Sequence, residues 1–107
     1  MYSFIANKVL CNIVESDDSD MVYHDNSNGE SRSGAYDPFS STIYLHSGLH
    51  PDQKRKTLIH EVCHALLFEY GWYDGDDKFN EENICNFIAS HYEEIGVVVD
   101  GYFENVE

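Results

Sequence analysis

Apolar and polar positions divide the chain into a first part that favours strands and a second part that favours helices. Residues 4–5 and 9–14 are apolar and β-branched, which predicts one or two strands, with a short helix as the alternative. The polar residues 16–33, rich in Asp, Ser, Asn and Gly, predict a loop. Residues 34–36 and 42–45 flank an Asp-Pro step that favours a turn, so they predict an antiparallel hairpin.

A long helix is predicted after the hairpin. Proline is best tolerated in the first turn of a helix, and Pro51 follows the strand-breaking pair Ser47 and Gly48. The helix can then run to about Tyr70, because Gly71 supplies a C-terminal stop.

A second helix and a short tail complete the predicted order of elements. Residues 71–77 are rich in Gly and Asp and predict an exposed connection. The second helix is expected from near Asn80 to about Ile95, with Gly96 closing it. Residues 97–103 combine an apolar run with an Asp-Gly pair typical of hairpins, which predicts a strand or a packed turn.

The first predicted helix contains the motif HExxH. Residues four apart lie one turn apart on a helix, so His60 and His64 present their imidazoles side by side, as two ligands of one tetrahedral zinc ion do. Glu61 lies next to the first histidine, where it can take a proton from a water that zinc has made more acidic. Apolar residues surround the motif, which predicts that the histidines lie at or near the packed side.

A catalytic zinc site needs a third protein ligand. A metzincin would have glycine and histidine where this chain has Leu67 and Tyr70, which excludes that class. The next histidine along the chain is His91, so a carboxylate in the first turn of the second helix is the better candidate. Helical geometry favours Glu82, and Glu81 is the alternative.

Glu81 and Glu82 lie on different faces of the second predicted helix and so share a face with different residues. Glu82 as ligand places Asn86 one turn further on, where it can orient a ligand, whereas Glu81 aligns better with the stripe through Ile84, Ile88 and His91. Acidic residues also favour helix N-termini through the helix dipole, which explains at least one of the pair without a metal.

Length and charge narrow the classes of function. The 107 residues predict a single domain over residues 1–107. The formal charge of −14 disfavours nucleic acid and acidic membranes as partners. Apolar runs are too short to span a bilayer, and no leader pattern is visible, so a cytoplasmic location is expected. The three cysteines have no CxxC spacing and suggest neither a disulfide framework nor a thiolate zinc site.

Residues 59–67, IHEVCHALL, and 81–89, EENICNFIA, resemble the ImmA/IrrE-type metallopeptidases, and most closely small phage and prophage members of that gluzincin group. The resemblance covers about residues 36–95. It implies a zincin-like fold with a zinc ion, His60 and His64 as ligands and Glu61 as the base.

The same resemblance implies Glu82 as third ligand, because residues 82–86 read ExxCN where the family has ExxAN. Cys85 thus replaces the usual small residue. No appended DNA-binding domain is visible, so proteolysis of a repressor is not carried over.

These observations predict an α+β fold: a minimal zincin-like domain with a small antiparallel sheet packed on the long HExxH helix and a second helix carrying the third ligand. The predicted function is that of a zinc-dependent metallopeptidase, an endopeptidase acting on a cytosolic protein or peptide, with Glu61 as general base. The sequence leaves a further protein partner and the oligomeric state open. The alternative is an acidic phage-type interaction or inhibitor protein, such as a DNA mimic, whose zinc site is structural or vestigial.

Several other residues near the motif are candidates for catalysis or for substrate binding. Tyr44, Tyr70 and Tyr73 are candidates for stabilising an oxyanion. Residues 42–45 are either an ordinary strand or an exposed edge that pairs with a substrate peptide.

The remaining candidates have weaker links to the zinc site. His46 and His50 flank the connection into the first helix and are within reach of a metal there, although exposed loop histidines are common. Cys63 is expected to face away from the histidines as a small buried residue. The basic residues 54–56 are expected to form a solvated helix face.

Overall fold

The computed structural model describes residues 2–16, 33–71 and 81–106, and these form four strands and two helices. The predicted α+β class is confirmed. The loop and connection predicted in residues 17–32 and 72–80 lie outside the described residues. The elements are β1 Tyr2–Ala6, β2 Val9–Ser16, β3 Gly34–Asp37, β4 Thr42–His46, α1 Pro51–Glu69 and α2 Glu81–Val106.

The first two strands form a tight hairpin. Its two-residue turn consists of Asn7 and Lys8, both with positive φ, 49° and 72°. Two successive left-handed residues match the twist of antiparallel strands. The apolar residues near the N-terminus therefore form two strands and not a helix.

The sheet is mixed, with the strand order β1-β2-β4-β3. Both hairpins are antiparallel, but β2 and β4 are parallel, with Ile13 opposite Ile43. The predicted antiparallel sheet is therefore wrong at this central pair. Turn residues in the sequence predict that the chain reverses direction within each hairpin. The pairing of one hairpin with the other depends on contacts between distant residues, which turn residues do not predict.

This order also changes which strand lies at the edge. Strand β4 pairs on both sides, so of the two alternatives for residues 42–45 the ordinary strand is confirmed and the exposed edge is wrong. Among the described strands, β1 and β3 are the edges. The predicted turn between β3 and β4 is confirmed: the Phe39 N–H and the Ser40 hydroxyl donate to the Asp37 carboxylate, each at 3.0 Å.

Helix α1 begins and ends close to the predicted positions. Pro51 occupies its first turn, and the Tyr70 N–H still donates to the Leu66 carbonyl, at 2.9 Å. Gly71 then has a φ of 76°, a left-handed conformation that favours glycine and ends the helix.

Helix α2 is longer than predicted. It passes through Gly96 and Gly101 to Val106, so the predicted stop at Gly96 and the predicted strand or turn in residues 97–103 are wrong. An apolar stripe continues past Gly96 at helical spacing and packs under the sheet, which outweighs the low helix propensity of glycine. The buried residues of this stripe are Ile95, Val98, Val99 and Tyr102.

Both helices contribute to one hydrophobic cluster with the same face of the sheet. The strands contribute Phe4, Ala6, Cys11, Ile13, Ile43 and Leu45, and α1 contributes Leu58, Val62, Ala65 and Leu66. The rings of Tyr2 and Tyr102 meet edge to face at 6.0 Å. No helix in the described residues has both the length and the apolar character that crossing a bilayer requires.

Candidate metal centre

The two histidines of the motif lie side by side on α1. Their Nε2 atoms are 3.2 Å apart, and the ring centroids are 4.8 Å apart with an angle of 70° between the ring planes. The four-residue spacing produces this arrangement because it places one side chain a single turn above the other.

This spacing fits a zinc ion. Two nitrogen ligands of a tetrahedral zinc, each about 2.05 Å from the metal, are about 3.3 Å from one another. The distance between the Nε2 atoms of His60 and His64 is 3.2 Å. Without metal, the same distance suits an N–H···N hydrogen bond between two neutral imidazoles. The pair therefore meets the geometric requirement for two zinc ligands.

Glu61 differs from its histidine neighbours in burial. Its residue is only 4% exposed, whereas His60 and His64 are exposed. Successive helix residues are rotated by about 100°, so Glu61 shares the buried side of α1 with Leu58 and Ala65. The expectation that the histidines lie on the packed side is wrong: the carboxylate is the buried member.

Strand β3 lies closely against α1 beside this carboxylate. A Cβ at Gly34 would be 3.1 Å from Cγ of Glu61 and 2.6 Å from Cγ2 of Thr57, so only glycine fits here without a shift. The Thr57 hydroxyl donates to Oγ of the neighbouring Ser33, at 3.1 Å. The sequence did not indicate that Gly34 belongs to the site, because its role depends on the contact between β3 and α1.

Two cavities flank His60. The first, of about 410 Å³, is mainly apolar and is lined by both histidines with Ile59, Cys63 and Leu67. The sequence suggested that Cys63 faces away from the histidines, but it lines the same cavity as they do. Burial raises the pKa of the Cys63 thiol, and the charge of Glu61 raises it further.

The second cavity, of about 440 Å³, is more polar. It is lined by Gly34 and Glu61 together with Ser33, Gln53 and Thr57. Lys56 and His60 line both cavities and so stand between them. A ligand bound at the histidines thus has an apolar space on one side and a polar space on the other.

Among the described side chains, no third ligand is grouped with the histidine pair. Glu82 lies in the first turn of α2 and is exposed, and only the backbone of Glu81 is described. Within residues 2–16, 33–71 and 81–106, no group of three or more His, Cys, Asp or Glu side chains is arranged to hold a metal ion. The assignment of Glu82, or of Glu81, remains a prediction.

Comparison with known proteins decides the family. Residues 13–92 match the peptidase family described as the IrrE N-terminal-like domain. This chain belongs to that family. The matched range of the IrrE-type domain contains the HExxH motif on α1 and both acidic candidates on α2. The resemblance to ImmA/IrrE-type proteins is therefore confirmed.

One curated relative of this IrrE-type chain is the radiation response metalloprotease IrrE of Deinococcus deserti. It is 46% identical over 68 residues, which cover 55% of this chain and 24% of the relative. The aligned part is thus about a quarter of the relative's length. No solved structure matches the chain.

Of the three tyrosines predicted as oxyanion donors, Tyr44 and Tyr70 lie in the described residues of this IrrE-type chain. Tyr44 alternates with the core residues Ile43 and Leu45, so it lies on the opposite face of the sheet from α1. The Tyr70 hydroxyl donates to Oε2 of Glu94, at 3.1 Å. Tyr73 lies outside the described residues.

The two loop histidines belong to the local structure of the connection into α1. Nδ1 of His46 accepts a hydrogen bond from the Gly48 N–H, at 2.9 Å. His50 is the N-cap residue of α1, and its carbonyl accepts from the Lys54 N–H, at 2.8 Å. The ring of His46 thus has a local role, whereas the exposed side chain of His50 makes no capping hydrogen bond.

The basic residues 54–56 do not form a uniform solvated face. Nζ of Lys54 lies 3.1 Å from Oε1 of Glu15 on β2. A guanidinium nitrogen of Arg55 lies 2.6 Å from Oδ1 of Asp100, and its carbon is 5.8 Å from the ring centre of Phe103. These two side chains tie α1 to β2 and α2, which sequence alone did not indicate.

Proposed function

We propose that this protein is a zinc-dependent endopeptidase that cleaves a cytosolic protein or peptide. The observation that carries the proposal is the 3.2 Å separation of the His60 and His64 Nε2 atoms beside the buried carboxylate of Glu61. Membership of a peptidase family and the name of the aligned relative support the same class of reaction. The fold this implies is a minimal zincin-like domain.

In this proposal, His60 and His64 hold the zinc ion through Nε2, and Glu82 on α2 completes the ligand set, with Glu81 as the alternative. When bound, zinc supplies Lewis acidity that polarises a carbonyl group and lowers the pKa of water. Imidazole and carboxylate are the donor types that catalytic zinc sites commonly use.

Glu61 is the proposed general base. Its carboxylate takes a proton from the attacking water and later delivers a proton to the departing amine nitrogen. Contact with β3 restricts where this side chain can move, because the Cγ of Glu61 lies against Gly34. A carboxylate that is already held in place loses less conformational entropy when the transition state forms.

The edge strand β3 offers a means of holding a substrate. Within the described strands, β3 pairs on one side alone, with β4. An extended peptide that adds to such an edge would gain backbone hydrogen bonds. Because Gly34 at the start of β3 lines the cavity shared with His60 and Glu61, a peptide added there would pass close to the histidines.

A second candidate function rests on the charge of the chain. The formal charge of −14 suits an acidic interaction or inhibitor protein that binds a basic partner, with a zinc site that is structural or vestigial. Glu61 discriminates between the two functions, because a structural site has no need of a buried carboxylate next to a ligand.

Metal content tests the proposed ligand set. Wild type, His60→Ala, Glu82→Ala and Glu81→Ala would be loaded with zinc, desalted and measured by elemental mass spectrometry. We expect near-stoichiometric zinc in wild type and a loss in His60→Ala and Glu82→Ala. His46→Ala is the matched control and should keep its zinc, because His46 bonds to Gly48. Wild type that takes up no zinc would overturn the peptidase proposal.

Activity tests the role of Glu61. In Glu61→Gln we expect zinc content and the unfolding midpoint to stay near wild type, while cleavage of a peptide library falls by about 10²- to 10⁴-fold. Cleavage at the wild-type rate would remove Glu61 as the base. Zinc binding without any cleavage by wild type would favour the acidic interaction protein.

A further inference from the structure

Lys56 differs from the other basic residues on α1. Lys54 and Arg55 each lie against a carboxylate, those of Glu15 and Asp100. Within the described part of the chain, Lys56 has no ion pair or hydrogen bond, and it is exposed. Its ammonium group is therefore available to a ligand.

The position of Lys56 relates it to the proposed metal site. It lies four residues before His60, hence one helical turn away, and it lines both cavities that flank this histidine. Besides the Glu61 carboxylate, the polar cavity contains Gln53 and Ser33, whose side chains can donate hydrogen bonds to a ligand carboxylate. The apolar cavity adds Ile59 and Leu67, which have no such groups.

The positive charge of Lys56 is unusual in a chain whose net charge is strongly negative. With 20 acidic and 6 basic residues, most of the molecule repels an acidic ligand. A carboxylate near His60 would meet the Lys56 ammonium and, in the loaded protein, the zinc charge.

We propose that Lys56, with Gln53 and Ser33, forms a subsite that binds a Glu or Asp side chain of the substrate next to the cleaved bond. The cavity lined by Ile59 and Leu67 takes an apolar side chain on the other side of that bond. This subsite rests on the proposed peptidase function, and it assigns to Lys56 a role in specificity and not in the chemical step.

Cleavage of a peptide mixture is the first test. Zinc-loaded protein would be incubated with an equimolar mixture of random decapeptides, and products would be sequenced by mass spectrometry. Wild type should enrich Asp and Glu near the cut by up to about fivefold, because an exposed ion pair contributes about 0.2–1 kcal/mol. Lys56→Met should lose this enrichment, and Lys56→Glu should replace it with enrichment of Lys and Arg.

The control has the same change in charge at a residue that lines neither cavity. Lys8 lies in the β1–β2 turn, so Lys8→Glu should leave the cleavage profile unchanged. The wild-type preference should also weaken as salt is raised from 0.05 M to 0.5 M, because screening weakens exposed ion pairs. A role of Lys56 in stability alone would produce no reversal of preference.

Binding without cleavage is the second test. Calorimetry would compare the binding of N-acetyl-glutamyl, N-acetyl-glutaminyl and N-acetyl-lysyl hydroxamates to zinc-loaded protein. We expect the glutamyl compound to bind tightest to wild type and the lysyl compound to bind tightest to Lys56→Glu.

The two tests separate the subsite from the peptidase function. The expected binding preference without any cleavage would support the subsite and overturn the peptidase. Cleavage with the same profile in wild type and Lys56→Glu would overturn the subsite and support the peptidase. Wild type that takes up no zinc would overturn both.

Discussion

Gly34 lies so close to Glu61 that a Cβ added to the glycine would be 3.1 Å from Cγ of the glutamate. The same Cβ would be 2.6 Å from Thr57 Cγ2 and 3.2 Å from the Tyr44 carbonyl oxygen. Strand β3 and helix α1 are therefore in close contact beside the proposed base. Packing of the sheet and the position of the Glu61 carboxylate are linked through this one residue.

Gly34→Ala should lower both stability and activity. The added methyl group forces β3 away from α1, which should reduce the free energy of unfolding by about 1–3 kcal/mol. Cleavage should fall more than zinc content, because the shift reaches Glu61 before the exposed histidines. Gly96→Ala is the control: its Cβ would meet nothing within 4 Å, so this helical position should gain up to about 1 kcal/mol. Urea unfolding of both variants checks the pair, and equal stability of Gly34→Ala and wild type would contradict the close contact.

Acid should weaken the junction of β2, α1 and α2. Burial alone would raise the pKa of Glu15, but hydrogen bonds from Tyr102 and Lys54 and the Lys54 charge outweigh it, so the pKa lies below its usual value of 4.5. A carboxyl group whose pKa is lowered by folding stabilises the protein above its unfolded pKa, and this contribution is lost as the pH falls through the folded pKa.

The free energy of unfolding should therefore decline as the pH falls below about 4.5. Glu15→Gln should flatten that decline, and Tyr102→Phe should reduce it while costing about 1 kcal/mol at pH 7. Urea titrations between pH 7 and pH 3 measure both slopes. An unchanged slope in Glu15→Gln would show that other carboxylates govern the acid response.

The β1–β2 turn should be improved by glycine at one position. Lys8 has a φ of 72°, a left-handed conformation that costs a residue with a Cβ about 1 kcal/mol. Lys8→Gly should raise the free energy of unfolding by about 0.5 kcal/mol, since part of the gain is lost to backbone entropy. Asn7→Gly should bring less, because asparagine tolerates positive φ well. A lower melting temperature for Lys8→Gly would contradict the described turn.

A hydrogen bond near the end of α1 should influence zinc binding if the third ligand is on α2. The Tyr70 hydroxyl donates to Glu94, and its ring lies 4.6 Å from that of His91, so Tyr70 helps to fix α2 against α1. Tyr70→Phe should cost about 1 kcal/mol of stability and weaken zinc binding several-fold in a chelator competition. Tyr92→Phe, an exposed tyrosine on α2, is the control. Unchanged zinc affinity in Tyr70→Phe would argue against a ligand on α2.

The thiols of Cys85 and Cys11 should differ in reactivity. Cys85 is exposed, whereas Cys11 is buried, and burial together with the charge of Glu69 raises the Cys11 pKa to about 11. At pH 8 iodoacetamide should modify Cys85 in the folded protein and Cys11 only after urea is added, because the thiolate is the reactive form. Peptide mass spectrometry identifies the modified residue. Equal rates without urea would show that β2 opens readily.

The sequence alone predicted the features that depend on local spacing. His60 and His64 are one turn apart on any helix that contains them, and Pro51 and Gly71 mark helix ends through their own backbone preferences. The Asp-Pro turn was predictable for the same reason, since the Asp37 side chain bonds within its own turn. The resemblance to the family was also visible in two short segments, residues 59–67 and 81–89, and the match over residues 13–92 confirmed it.

Only the tertiary structure decided the features that depend on contacts between distant residues. The parallel pairing of β2 with β4 and the continuation of α2 past Gly96 result from burial of apolar surface against other elements, which outweighs local propensity. The position of Lys56 between two cavities and the contact of Gly34 with Glu61 exist because β3 is folded onto α1. Spacing along one helix thus determined which residues share a turn, whereas packing determined which of them are buried and what they face.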